Sequence, residues 1–125
     1  MLSSRLMIAA AGFAALTMGM AEAAPNAQQG KQVFAQCAGC HSLEAGKNGV
    51  GPSLHGLMGR KAGTVAGFNY SPAMKKANIT WDEDSLGKFL SNPQKFVPGN
   101  RMMIPGVSSE AQRDNLIAYL QQATK

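Results

Sequence analysis

The chain has 125 residues, 45% of them hydrophobic and 15% charged, with a net charge of +5 and two cysteines. That length suits one domain, and the basic balance points to acidic partners or an anionic surface. Without an aromatic-interleaved basic stretch, and with an export signal at its start, the chain is excluded as a nucleic-acid binder.

Arg5 precedes an apolar run from Leu6 to Met20, and Ala21-Glu22-Ala23 places small residues where signal peptidase reads. Residues 1–23 are therefore predicted to be a secretory signal cleaved after Ala23, leaving a domain over 24–125. The competing reading, a retained membrane anchor, is weakened because the run falls short of the ~20 apolar residues a spanning helix needs. It also contains Gly12 and Gly19. Loss of Arg5 and Glu22 leaves the net charge unchanged. The mature chain would occupy an oxidising, periplasmic compartment, where a cysteine pair tends to oxidise unless something consumes it.

From Ala27 to Cys37 the pattern is helical, with Val33, Phe34 and Cys37 on one face. Gly30 lies on the same side, one turn before Phe34. A glycine inside a helix costs about 1 kcal/mol relative to alanine, so it predicts a second helix crossing closely there.

Cys37-Ala38-Gly39-Cys40-His41 follows. A thioredoxin-type dithiol needs a βαβ context, and zinc needs two further ligands where only His55 remains. The spacing instead suits c-type haem attachment. On one helical turn the two sulfurs share a face and can form thioethers to two porphyrin vinyl groups, while His41 takes one axial position of the iron. About one hundred residues make a small core, which a covalent macrocycle would enlarge, so folding is expected to depend on haem.

Ser42 to Gly67 is rich in glycine and proline and reads as loops that a haem would organise. Ser71-Pro72 starts a short helix through Met74 to about Ala77. Thr80-Trp81-Asp82-Glu83 starts another, with Thr80 and Glu83 as a capping box and Leu86, Phe89 and Leu90 as its apolar face. Pro93 ends it at or before Asn92. Phe96 to Gly106 is again irregular. Ser109 with Gln112 caps a last helix whose Leu116, Ile117, Tyr119, Leu120 and Ala123 face the core. No stretch alternates as a strand would, so the fold class is all-α.

The second axial position could go to Met58, Met74, Met102, Met103 or His55. His55 follows His41 too closely, through a Gly-Pro turn, to reach the opposite face. Pro98-Gly99 and Pro105-Gly106 bracket a loop able to lie flat across a ring and aim one sulfur inward. Local chemistry leaves both Met102 and Met103 in play, since adjacent residues in an extended loop point oppositely.

The chain from Gly30 to Thr124 resembles class I cytochromes c, closest to the mitochondrial type and its small bacterial relatives. The resemblance is carried by Cys37 to His41, Gly51-Pro52-Ser53-Leu54-His55-Gly56, Gly59-Arg60-Lys61, Gly67-Phe68-Asn69-Tyr70, Ile79-Thr80-Trp81, Asn92-Pro93 and Pro98-Gly99-Asn100-Arg101-Met102. It implies a small helical fold around one haem c, with terminal helices crossing where Gly30 and Phe34 meet Leu116 and Tyr119. It makes His41 and Met102 the iron ligands, with the Pro52 carbonyl orienting His41 and Leu54 packed on the ring. Tyr70 and Trp81 would donate to a buried propionate balanced by Arg60.

The departures also belong to the resemblance. Phe89 stands where the mitochondrial type has a tyrosine bonded to the ligand sulfur, Met74 replaces an asparagine, and Asn100, in the haem-contacting ligand loop, replaces a threonine. A drier distal side is expected. The basic ring around the haem edge is thinned to Lys95 and Arg101, with Gln36, Gln94, Ser108 and Ser109 nearby, so electrostatic docking should be weak.

The implied function is a monomeric, non-catalytic electron carrier between a bc-type complex and a terminal oxidase, peroxidase or photosynthetic reaction centre, touching membranes only through partners unless the leader is retained. Two alternatives are a cytochrome subunit or dedicated acceptor of a periplasmic dehydrogenase, and a peroxidase or gas-ligand binder with a displaceable methionine. The last lacks a distal His/Arg pair.

Overall fold

The computed structural model describes residues 9–12 and 24–125, so most of the expected leader lies outside the described residues. Its helices are α1 (Ala27–Phe34), α2 (Pro72–Lys75), α3 (Glu83–Ser91), α4 (Pro93–Phe96) and α5 (Glu110–Ala123). Among the described residues no helix is long and apolar enough to cross a membrane. The expected all-α class holds, the one extended pairing among the described residues being an isolated antiparallel bridge between Lys61 and Thr80.

The crossing anticipated at Gly30 joins α1 to α5. A Cβ on Gly30 would overlap the Asn115 carbonyl and lie 2.9 Å from Tyr119 Cβ, so only glycine lets the two backbones approach this closely. Beside it the Phe34 and Tyr119 rings sit 5.4 Å apart. Asn115 ties the end of the crossing, accepting the Asn26 N–H at 2.7 Å and donating to Gln29 Oε1 at 3.1 Å. Asn26 in turn caps α1 through the Gln29 N–H.

Helix α1 ends at Phe34, three residues before the predicted limit. Beyond it the hydrogen bonds tighten, with Gln36 N–H reaching the Val33 carbonyl and Cys37 N–H the Phe34 carbonyl, and the chain continues as turns. These i→i+3 bonds are the usual close of a last turn.

The capping box of α3 is Asp82 with Ser85, not Thr80 with Glu83. Asp82 Oδ1 accepts the Ser85 N–H at 2.8 Å, and Ser85 Oγ accepts the Asp82 N–H at 2.9 Å. Thr80 is committed elsewhere, held extended by its bridge to Lys61. Pro93 does stop α3, but it also opens α4, where the sequence reading assigned no element. Asn92 caps this short helix through the Lys95 N–H, with Pro93 at its first position.

Phe34, Leu86, Phe89, Leu90, Leu116, Ile117 and Leu120 form one buried cluster with Leu57, Trp81 and Val97. Thr124, unremarked in the sequence, is also buried and closes α5 by donating from Oγ1 to the Leu120 carbonyl at 2.6 Å.

Candidate functional site

The core is not closed on itself: the buried cluster walls a cavity of about 400 Å³ that opens to the surface. Phe34, Leu57, Trp81, Leu86, Phe89, Leu90, Leu116 and Leu120 turn toward it, so its interior is largely apolar. Cys37, Cys40, His41, Pro52, Leu54, Arg60, Tyr70, Trp81, Asn100 and Met102 all line it. The ten residues expected to hold or contact the haem thus reach one space.

Cys37 to His41 forms a single turn, with the Cys40 and His41 N–H groups both bonded to the Cys37 carbonyl, at 3.0 and 2.9 Å. The two thiols are unpaired, Cys37 half-buried and Cys40 exposed. Burial, and then the neighbouring Cys40, push the Cys37 thiol above its ordinary pKa. The same turn presents His41, whose Nδ1 lies 2.8 Å from the Pro52 carbonyl oxygen. A carbonyl only accepts, so Nδ1 carries the hydrogen and Nε2 keeps its lone pair. Burial lowers the His41 pKa, partly offset by the Pro52 bond and assisted by Arg60, which keeps the imidazole neutral and able to ligate.

Gly51 lets the backbone lie against that ring. A Cβ there would come within 2.7 Å of His41 Nδ1 and overlap Cε1. The Gly51 N–H is itself bonded to the Cys40 carbonyl at 2.8 Å, which locks the Gly51-Pro52 turn to the cysteine motif.

On the polar wall, Arg60 donates to the His55 carbonyl at 2.8 Å. Among the described residues the ion pairs are Lys47–Glu44 and Lys88–Asp84, so Arg60 has no carboxylate partner there. Burial draws its guanidinium below the ordinary pKa, with Tyr70 opposing. The Tyr70 hydroxyl accepts the Val65 N–H at 3.0 Å, which leaves its own hydrogen to donate. A half-buried cation without an acid beside a hydroxyl donor suits the carboxylates of a porphyrin. With two thiols and an imidazole along the same apolar cavity, the donor set fits haem c.

Met102 and Met103 both border the cavity, but Met102 is half-buried whereas Met103 is 87% exposed. Asn100 is buried, but its polar atoms serve the protein itself: Nδ2 donates to the Pro93 and Val97 carbonyls, and Oδ1 accepts the Met102 N–H. Phe89 packs on Trp81 with ring centroids 5.1 Å apart, and Met74 lines the cavity nearby.

Gly51 and Phe68 entered the sequence reading only as motif members, and Gln94 only as a neutral position in the thinned basic ring. Phe68 stands edge-on to Tyr70, 4.8 Å between centroids, at the cavity wall. For Gly51 a signal existed, a glycine directly before the proline expected to receive His41.

A helical shell around an apolar cavity, with a C-x-x-C-H turn on one wall, defines a c-type haem protein. The family model for cytochrome c matches residues 27–124. Cytochrome c2 of Rhodoblastus acidophilus is 52% identical over 94 residues, covering 74% of this chain and 88% of that one. Cytochrome c-554 of Methylosinus trichosporium is 44% identical over 120 residues, covering 95% and 91%. Among solved structures, cytochrome cH from Methylobacterium extorquens superposes with a TM-score of 0.74 at 45% identity, covering 78% of this chain and 98% of that chain. The chain belongs to the cytochrome c family, an electron-transport protein with one covalent haem c attached through Cys37 and Cys40.

Proposed function

We propose that this protein is an exported, periplasmic electron carrier whose iron is held between His41 and Met102. It diffuses as a monomer between a bc-type donor and a terminal oxidase, peroxidase or reaction centre, and catalyses no reaction of its own. The observation that carries the reading is the single cavity lined by Cys37, Cys40, His41 and Met102. When bound, haem c supplies an iron that gains and loses one electron.

The chain's residues set the conditions for that exchange. Cys37 and Cys40 anchor the ring, so the group stays with the protein through each cycle. The Pro52 carbonyl fixes the tautomer of His41 and the plane of its ring. A thioether from Met102 together with the His41 imidazole would raise the reduction potential. Arg60 and Tyr70 would offset the charge of a haem propionate, and the apolar wall would keep water from the iron. Export is supported by the Arg5 to Ala23 pattern.

The test is the visible spectrum of the exported holoprotein, oxidised and reduced, with and without carbon monoxide. A near-infrared charge-transfer band, a low-spin reduced spectrum and no carbon monoxide binding are expected. A high-spin spectrum or ready carbon monoxide binding would overturn Met102 ligation and move the protein toward gas-ligand chemistry.

A further inference from the structure

We infer that Asn100 selects which of two adjacent methionines faces the cavity, acting as a positioning residue for Met102. The inference rests on the His41/Met102 reading and deepens it. Met102 and Met103 offer the same sulfur one residue apart, and a loop that slipped by one position would exchange them. Packing of Met103 does not prevent the exchange, because that side chain is 87% exposed. The register must be fixed by the backbone.

Asn100 supplies the fixed point. It is 6% exposed, and its Nδ2 donates to the Pro93 and Val97 carbonyls at 2.8 and 2.9 Å, which seats the side chain on the first residue of α4 and on its C-cap. Its Oδ1 then accepts the Met102 N–H at 2.8 Å. The side chain is a strut from α4 to that one N–H. Gln94 steadies the strut from outside, donating from Nε2 to the Asn100 carbonyl at 2.8 Å and accepting the Gly99 N–H at 3.3 Å. With its N–H held back toward α4, Met102 is half-buried against the cavity, whereas Met103, which also borders it, is left mostly in solvent. Both donor hydrogens of the Asn100 amide and its oxygen are engaged in this way, so the whole polar end of the side chain serves the loop.

The acceptor should set the register, and a pair of isosteric variants tests a hydroxyl against none. Asn100→Thr keeps an oxygen able to accept an N–H two residues on, whereas Asn100→Val has the same shape without it. Both lose the amide that spans Pro93 and Val97, though the threonine hydroxyl keeps one hydrogen for a single carbonyl. In oxidised holoprotein, imidazole should displace the sixth ligand of Asn100→Val at about five- to tenfold lower concentration than that of Asn100→Thr, the worth of one backbone hydrogen bond. Adding Met102→Ala to Asn100→Val should leave part of the near-infrared band, now from Met103, while Met102→Ala alone abolishes it. Equal imidazole midpoints for the two variants, or midpoints that only follow thermal stability across wild type, Thr and Val, would overturn the inference. Asn100→Ser and Asn100→Ala repeat the comparison at smaller volume should the valine variant fail to fold. A wild-type protein without the band removes the ligation reading and this inference together; a banded wild type with equal variants removes this inference alone.

Discussion

The His41 wall and the Met102 wall of the cavity are built from different materials. His41 is fixed by neighbours in sequence: the Cys37–His41 turn, the Gly51 N–H on the Cys40 carbonyl, and the Pro52 carbonyl 2.8 Å from its ring. Two covalent attachments adjoin it. Met102 comes from a loop secured by side-chain amides, Asn100 and Gln94, with solvent on the Met103 side. A backbone-built wall has no slack and tolerates no added atom. An amide-built wall can be loosened by one substitution without dismantling the core.

The sharpest way to break this contrast is to remove the attachment itself. Cys37→Ala with Cys40→Ala leaves the apolar cavity with nothing covalently held in it, and thermal unfolding followed by circular dichroism should lose its cooperativity. A cooperative transition in that double variant would show that the helical shell stands without haem. Gly51→Ala comes next. Overpacking of this kind costs about 1–3 kcal/mol, and here the methyl meets the His41 ring, so a lower denaturation midpoint should accompany a shifted reduction potential. An unchanged potential would mean that the His41 wall has more give than its geometry indicates.

On the other wall, Phe89→Tyr introduces a hydroxyl into the cavity that Met102 also lines, on a side chain already packed on Trp81. Potentiometry should detect a modest shift in potential, or imidazole titration a firmer ligand loop; no change in either would show that the Met102 side does not sense residue 89. The smallest effect lies outside both walls, at the start of α3. The Ser85 backbone and side-chain hydrogen bonds hold the exposed Asp82 carboxyl below its ordinary pKa. A lowered folded-state pKa stabilises above the unfolded value of about 3.9 and ceases to do so as pH falls through the folded value. Asp82→Asn keeps the cap acceptor and removes only the charge. Its thermal midpoint should lie slightly below wild type at neutral pH, and the two curves should converge below about pH 4. A gap that persists in acid would place the effect in cap geometry instead.

These walls were unequally legible in the sequence. Cys37, Cys40 and His41 could be read because their chemistry is local, needing only one turn of backbone. Gly30 could be read because its cost within a helix demanded a reason, and Asn115 is that reason. The misreadings arose where a distant partner decides. Thr80 satisfies the local capping pattern, but Lys61, far back in the chain, claims it for a bridge and passes the cap to Asp82. Pro93 was read as a stop, whereas Asn92-Pro93 is at once a stop and a start. Because α4 was unseen, the carbonyls that seat Asn100 were unseen too, and so was the strut behind Met102. The tyrosine-to-phenylalanine and threonine-to-asparagine departures were visible only through family resemblance, which names a difference without giving its geometry.

The crossing of α1 with α5 also sets a timetable. Asn26 and Asn115, which tie it, lie 89 residues apart, so the first helix has no partner surface until the last 14-residue helix exists. Until that helix docks, the cysteine turn is not held against a finished core. The architecture thus reserves a period in which a large, rigid ring can be stitched to the beginning of the chain before its end arrives to close over it.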